Sequence, residues 1–294
     1  QKPQRTIPIA LILSVVLSTI IYVLLQLAFL GSIPTEMLNG GWAEVSKQFS
    51  LPYRDIAITL GMGWLAFMVI SDAIISPSGT GNIYMNATPR VIYGWAKAGT
   101  FFKAFTHIDK ASGIPRPALW LTFGLSIFWT LPFPSWEQLI SVVSAALVLS
   151  YAIAPVTAAG LRRNAPDLPR PFRVRAFGII GPVSFMISAL IVYWSGWNTL
   201  SWLLGLQIVM FVVYVMCKGK VPEHTVSLAQ QVKSSLWLIV FYALIILFSW
   251  LGSFGGLNVI GHPWDTVLVA AMSLGIYYWG ARSCLPQANF SGDE

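Results

Sequence analysis

Ser78, Thr80, Asn82, Tyr84 and Asn86 place a hydroxyl or an amide at every second position, and Asp72 sets a carboxylate just ahead of them. Asp72 is the sole charge between Ile56 and Pro89, a run otherwise apolar enough to cross a bilayer. A carboxylate in such a run costs roughly 2.5–3.5 kcal/mol on insertion scales, so it should face protein or water. Two chemistries suit it: proton coupling, because burial raises a carboxyl pKa, or contact with a substrate amine. A structural Asp hydrogen-bonded to a neighbouring helix is the bland alternative. Pro77, Gly79 and Gly81 add a second expectation, that the helix is broken here. The period of two fits an extended or unwound piece, and freed carbonyls and hydroxyls at a broken helix form ion and substrate sites in transporters. The competing reading is a kinked helix whose hydroxyls bond back to its own carbonyls. Tyr151, beside Ser141, Ser144 and Ser150, is a further candidate for the cavity, against a stripe of small residues that serves only close packing.

The elements that must position these groups are membrane helices. The chain of 294 residues is 56% hydrophobic and 10% charged, with a mean hydropathy of +0.69; soluble domains carry about 25% charged residues. Uncharged runs predict eight spans: 8–30, 56–84, 117–131, 139–161, a hairpin within 176–217 turning at Ser195-Gly196-Trp197-Asn198, 236–254 and 264–281. The loop 31–55 has enough apolar residues for a short surface helix, as a lid over a transport mouth or as an ordinary loop. The fold class is therefore an all-α polytopic helical bundle.

Of the 18 Lys and Arg, all but Lys47 and Arg54 fall in loops on one side of these spans. That asymmetry places both termini in the cytoplasm. It also accounts for the net charge of +7 without a basic nucleic-acid surface. Trp129, Trp136, Trp194, Trp197, Trp202, Trp250 and Trp264 fall near outer span ends, as an interfacial belt requires. Cys217 and Cys284 are distant thiols on the reducing side, where no disulfide is expected. His107, His224 and His262 are scattered, so neither a metal nor another cofactor is expected. No nucleophile, base and acid come together in sequence, so an enzyme is not expected.

Three motifs in order carry a resemblance. Asp72 to Arg90, with Ser76-Pro77-Ser78-Gly79-Thr80-Gly81 and Thr88-Pro89-Arg90-Val91-Ile92-Tyr93, resembles the eighth span of the amino acid–polyamine–organocation permeases. Gln1 to Pro8 is similar to the segment after their sixth span. Arg162-Arg163 with Pro166-Asp167-Leu168-Pro169-Arg170-Pro171-Phe172-Arg173 is similar to their loop after span ten. The resemblance runs from residue 1 to about Cys217.

It implies an inverted-repeat, leucine-transporter-like bundle, normally of twelve spans, that carries amino acids by alternating access. The division it implies is a permease core over 1–217, a cytoplasmic linker over 218–234, an additional hairpin over 235–282 and a cytoplasmic tail over 283–294. Such a hairpin occurs in the fourteen-span members, of which the aspartate–proton symporter type is one candidate. Positions near Tyr84 would approach the substrate; Asp72 matches no standard family role. The implied partners are an amino acid, the lipid bilayer and N-terminal spans of the same permease lying outside this chain, which begins at Gln1 and not at Met. Antiport, or a non-transporting sensor or assembly module on the same fold, are the alternatives to symport.

Overall fold

The computed structural model describes residues 3–39, 41, 45, 49, 51–99, 101–131, 136–167, 169–216 and 228–285. Over these residues the chain forms helices α1 (Pro3–Ser32), α2 (Pro52–Thr59), α3 (Gly63–Lys97), α4 (Arg116–Thr130), α5 (Trp136–Asn164), α6 (Phe177–Trp194), α7 (Gly196–Met216), α8 (Leu228–Leu251) and α9 (Trp264–Ser283). Short 3-10 turns at Thr35–Leu38 and Lys103–Thr106 complete the regular structure described. Cys217, Lys218, Lys220, His224 and the tail beyond residue 285 lie outside the described residues, as do Pro132 to Pro134.

Among the described residues, five helices are long and apolar enough to cross a membrane: α1, α5, α6, α7 and α8. The chain is a multi-pass membrane protein. The three other expected spans, α3, α4 and α9, are also helical; α4 has only 15 residues, about 22 Å at 1.5 Å per residue. Helix α8 begins at Leu228, inside the stretch expected to be linker.

The chain divides into two compact units, Gln1–Thr88 and Pro89–Glu294, with the boundary inside α3. In the first unit Ile33, Val45 and Ile56 are buried, with Phe29, Met37, Leu38 and Phe49 against them. The Phe29 ring meets those of Phe49 and Tyr53 edge-on at 5.9 and 5.7 Å. Within loop 31–55 the described residues include the 3-10 turn Thr35–Leu38, a helical Val45 and the start of α2 at Pro52; residues 40, 42–44, 46–48 and 50 lie outside the described residues.

The expected second span starts differently. Ile56 to Thr59 belong to α2, which ends in a turn where Gly61 N–H donates to the Ile58 carbonyl and Met62 N–H to that of Ala57. Gly61 has φ of +71°, the left-handed C′ geometry that closes a helix at little cost only for Gly. Helix α3 begins at Gly63 and runs without interruption through Pro77, Gly79 and Gly81 to Lys97. The break expected at Pro77–Gly81 is therefore corrected: the chain turns at Gly61 instead.

The second unit is organised by side chains spaced three or four apart. On α5 these are Val142, Ala145, Leu149, Ala152 and Val156, and α6 supplies Phe185, Ala189, Val192 and Tyr193. They bury against Leu200, Leu203 and Leu204 of α7, Trp237, Phe241 and Ile245 of α8, and Val269, Ile276 and Tyr277 of α9. Helices α8 and α9 thus share one core with α5 to α7. Lipid is as apolar as this core, so close packing rather than water exclusion holds it together. Gly280 shows the consequence: a Cβ there would lie 2.8 Å from the Trp237 ring and 2.7 Å from Val156.

Candidate functional site

Winding α3 as one continuous helix redistributes its polar residues. At 3.6 residues per turn, Ser78, Asn82 and Asn86 share one face, while Asp72, Ser76, Thr80 and Tyr84 share another. The alternation that suggested an unwound strand is a two-faced helix.

Side chains of this helix bond back to its own carbonyls. The Ser71 hydroxyl donates to the Phe67 carbonyl at 2.9 Å and the Ser78 hydroxyl to the Ile74 carbonyl at 2.7 Å. Asn86 Nδ2 donates to the Asn82 carbonyl at 2.9 Å and to Asn82 Oδ1 at 3.2 Å. Such back-bonding satisfies hydroxyls in apolar surroundings.

Asp72, Ser78, Thr80, Asn82 and Tyr84 are all exposed, Tyr84 at 55%. Asp72 lines a cavity of about 480 Å³ in the first unit, with Leu25, Ala28, Phe29 and Ser32 of α1 and Tyr53 and Ile56 of α2. Its walls are almost wholly apolar, so the Asp72 carboxylate is the charged group offered to anything that enters. Ser78 to Tyr84 do not line that cavity. Tyr151 lies on α5 in the other unit, 66% exposed, and Ser150 beside it donates back to the Leu147 carbonyl at 2.7 Å. A second cavity, about 660 Å³ between α4 and α7, is lined by Phe128, Trp129, Leu131, Trp202 and Leu206 and holds none of the expected residues. Among the described residues no His, Cys, Asp and Glu group has the makings of a metal site.

The family model for amino acid permeases matches residues 1–248. The chain belongs to the amino acid permease family. Among its relatives, the aspartate-proton symporter of Bacillus subtilis (strain 168) is 56% identical over 295 residues, covering 100% of this chain and 57% of the relative. The glutamate/serine transporter AimA of the same organism is 34% identical over 285 residues, 96% of this chain and 52% of the relative. The human cationic amino acid transporter 4 is 24% identical over 174 residues, 58% of this chain and 26% of that protein. This permease chain therefore spans about half the length of the first two relatives. No solved structure matches it.

Sequence reasoning missed two features of the permease. Asp265, in the first turn of α9, is wholly buried, whereas Asp72 is exposed. An acidic residue opening a helix reads as an ordinary dipole partner, and its burial depends on α6 and the α8–α9 loop. Arg170 of the basic loop does more than set topology. Its guanidinium donates to the carbonyls of Leu161 at 2.9 Å, Ala165 at 2.6 Å and Pro166 at 2.9 Å, closing the end of α5. Arg162 lies 4.0 Å over the Phe177 ring at the start of α6.

Proposed function

We propose that the protein carries amino acids across the cytoplasmic membrane by proton-coupled symport, and that this chain supplies part of the permease. The observation that carries the reading is the 56% identity, across all of this chain, to a protein named aspartate-proton symporter. Acidic amino acids are therefore the first substrates to test, with serine next because of the second relative's name. The family and its relatives are transporters, which favours transport over catalysis.

Within the chain, α3 forms one wall of the path. Ser78, Thr80, Asn82 and Tyr84 contact the substrate, Asp72 takes part in proton coupling, and Tyr151 of α5 is a further substrate contact. The Asp72 carboxylate and the exposed Thr80 and Tyr84 hydroxyls support this reading, since such groups on a span need a partner other than hydrocarbon. The core extends over 1–217, with the hairpin over 235–282 as an addition to it. Further N-terminal spans of the same permease complete the site. The basic loops put both termini in the cytoplasm.

The test is uptake of labelled aspartate, glutamate and serine by the full-length permease in proteoliposomes, with and without an inward proton gradient. Gradient-driven accumulation of at least one is expected. Uptake indifferent to the gradient removes the coupling, and no uptake of any of the three overturns the function.

A further inference from the structure

Asp265 is the one acidic side chain among the described residues that is completely buried. Its Oδ2 accepts from the Tyr193 hydroxyl at 2.7 Å, from the Ser253 N–H at 3.2 Å and from the Ser253 hydroxyl. Its Oδ1 accepts from the Thr266 N–H at 2.6 Å and lies 3.2 Å from the Thr266 hydroxyl. His262 Nδ1 is 3.6 Å from the same oxygen, on the exposed rim. The donors come from three elements: the end of α6, the α8–α9 loop and the start of α9.

The backbone around this carboxylate is fitted to it. A Cβ on Gly252 would lie 2.1 Å from the Tyr193 hydroxyl, so Gly252 leaves the space through which that hydroxyl reaches Asp265. Gly196, at φ of +83°, turns α6 into α7 and lets the Trp197 N–H donate to the Phe254 carbonyl at 2.9 Å. The Phe254 ring meets Tyr193 edge-on at 5.5 Å and His262 at 6.2 Å. Trp194 Nε1 reaches the Thr266 hydroxyl at 3.5 Å.

A buried carboxylate with every lone pair engaged is costly to disturb, because any lost donor leaves charge without compensation. We propose that Asp265 is a latch that locks the α8–α9 hairpin onto the α6–α7 turn and makes the hairpin a structural part of the permease scaffold. Amino acid transport has no part in this assignment, which rests on hydrogen bonding and the two glycines alone.

The experiment is hydrogen exchange read by mass spectrometry on the full-length permease, comparing wild type with Asp265→Asn, Tyr193→Phe and the double variant. Asp265→Asn keeps size but turns an N–H toward the Ser253 N–H. The informative amides are Trp197, Leu257, Asn258 and Ile260, bonded to the carbonyls of Phe254, Trp250, Gly252 and Leu251. Each single variant should speed their exchange roughly tenfold. The double variant should show less than the product of the two effects, because both act on one bond. Unchanged exchange in either folded single variant, or simply multiplicative effects, would overturn the latch. Should Asp265→Asn fail to fold, Tyr193→Phe decides alone, by the same criterion of faster or unchanged exchange.

Discussion

Asn164, at the end of α5, donates through Nδ2 to the carbonyls of Cys284 at 3.1 Å and Leu285 at 2.7 Å, just past the end of α9. One turn earlier, a Cβ on Gly160 would lie 2.8 Å from the Cys284 Cβ. Carbonyls that follow a helix end have no helical N–H to accept from, and here a side chain of another helix supplies the donor. Asn164→Ala should therefore cost about 1–3 kcal/mol, seen as a lower unfolding temperature of the purified permease. Burial also pushes the half-buried Cys284 thiol above its ordinary pKa, so little thiolate exists at neutral pH. Maleimide should label Cys284 slowly in the wild type and faster in Asn164→Ala. Equal rates would show that Asn164 does not hold this end closed.

Two glycines should respond in opposite directions to alanine. Gly61 has a positive φ with open space around it, so Gly61→Ala pays only backbone strain, about 1–2 kcal/mol. Gly79 lies within α3, also with nothing near its missing Cβ. Gly79→Ala should stabilise the fold by about 0.5–1 kcal/mol. Thermal unfolding of both variants checks this; destabilisation by Gly79→Ala would mean that α3 is not a continuous helix in the membrane.

The loop before α4 should sense acid. Asp109 Oδ2 accepts from the Ser112 hydroxyl at 2.6 Å and its N–H at 3.0 Å, with Arg116 3.1 Å away. The Ser112 bonds foremost, then Arg116, hold its carboxyl below the ordinary 3.8. Because the folded pKa is depressed, its support of the loop is present above about pH 3.8 and lost as pH falls through the lower folded value. Protease cutting between residues 107 and 115 should rise in that acid range, and Asp109→Asn should show the acid-state rate already at pH 7. A cutting rate insensitive to the substitution would remove Asp109 from this role.

Substitutions on α3 separate its proposed roles. Tyr84→Ala should raise the KM for the transported amino acid about tenfold, a loss of about 1.4 kcal/mol. Ser78→Ala should raise the KM severalfold while changing stability by less than about 0.5 kcal/mol, since within the fold its hydroxyl bonds to the Ile74 carbonyl of its own helix. Asp72→Asn should abolish gradient-driven accumulation while leaving exchange of substrate across the membrane. Uptake kinetics in proteoliposomes read all three, with thermal unfolding for the stability of Ser78→Ala, and wild-type accumulation by Asp72→Asn would exclude it from coupling.

The helices were legible in the sequence because crossing a bilayer is a local requirement. A run without charge, long enough to cross and bounded by Arg162-Arg163 or turned at Ser195-Gly196, must be a helix wherever it packs. The polarity of the Asp72 to Asn86 stretch was equally plain, and so were the family motifs. Its conformation was not. Pro77, Gly79 and Gly81 look like breakers by propensity, yet glycine also adopts the helical backbone region and α3 continues through all three, while the chain turns at Gly61. The largest reversal concerns the two aspartates. Asp72 stands in an apolar run yet is exposed, whereas Asp265 stands at a helix start yet is buried. Burial is a property of neighbours, and those of Asp265 are Tyr193, 72 residues earlier, and Ser253 across a loop, brought together only when α6, α8 and α9 pack.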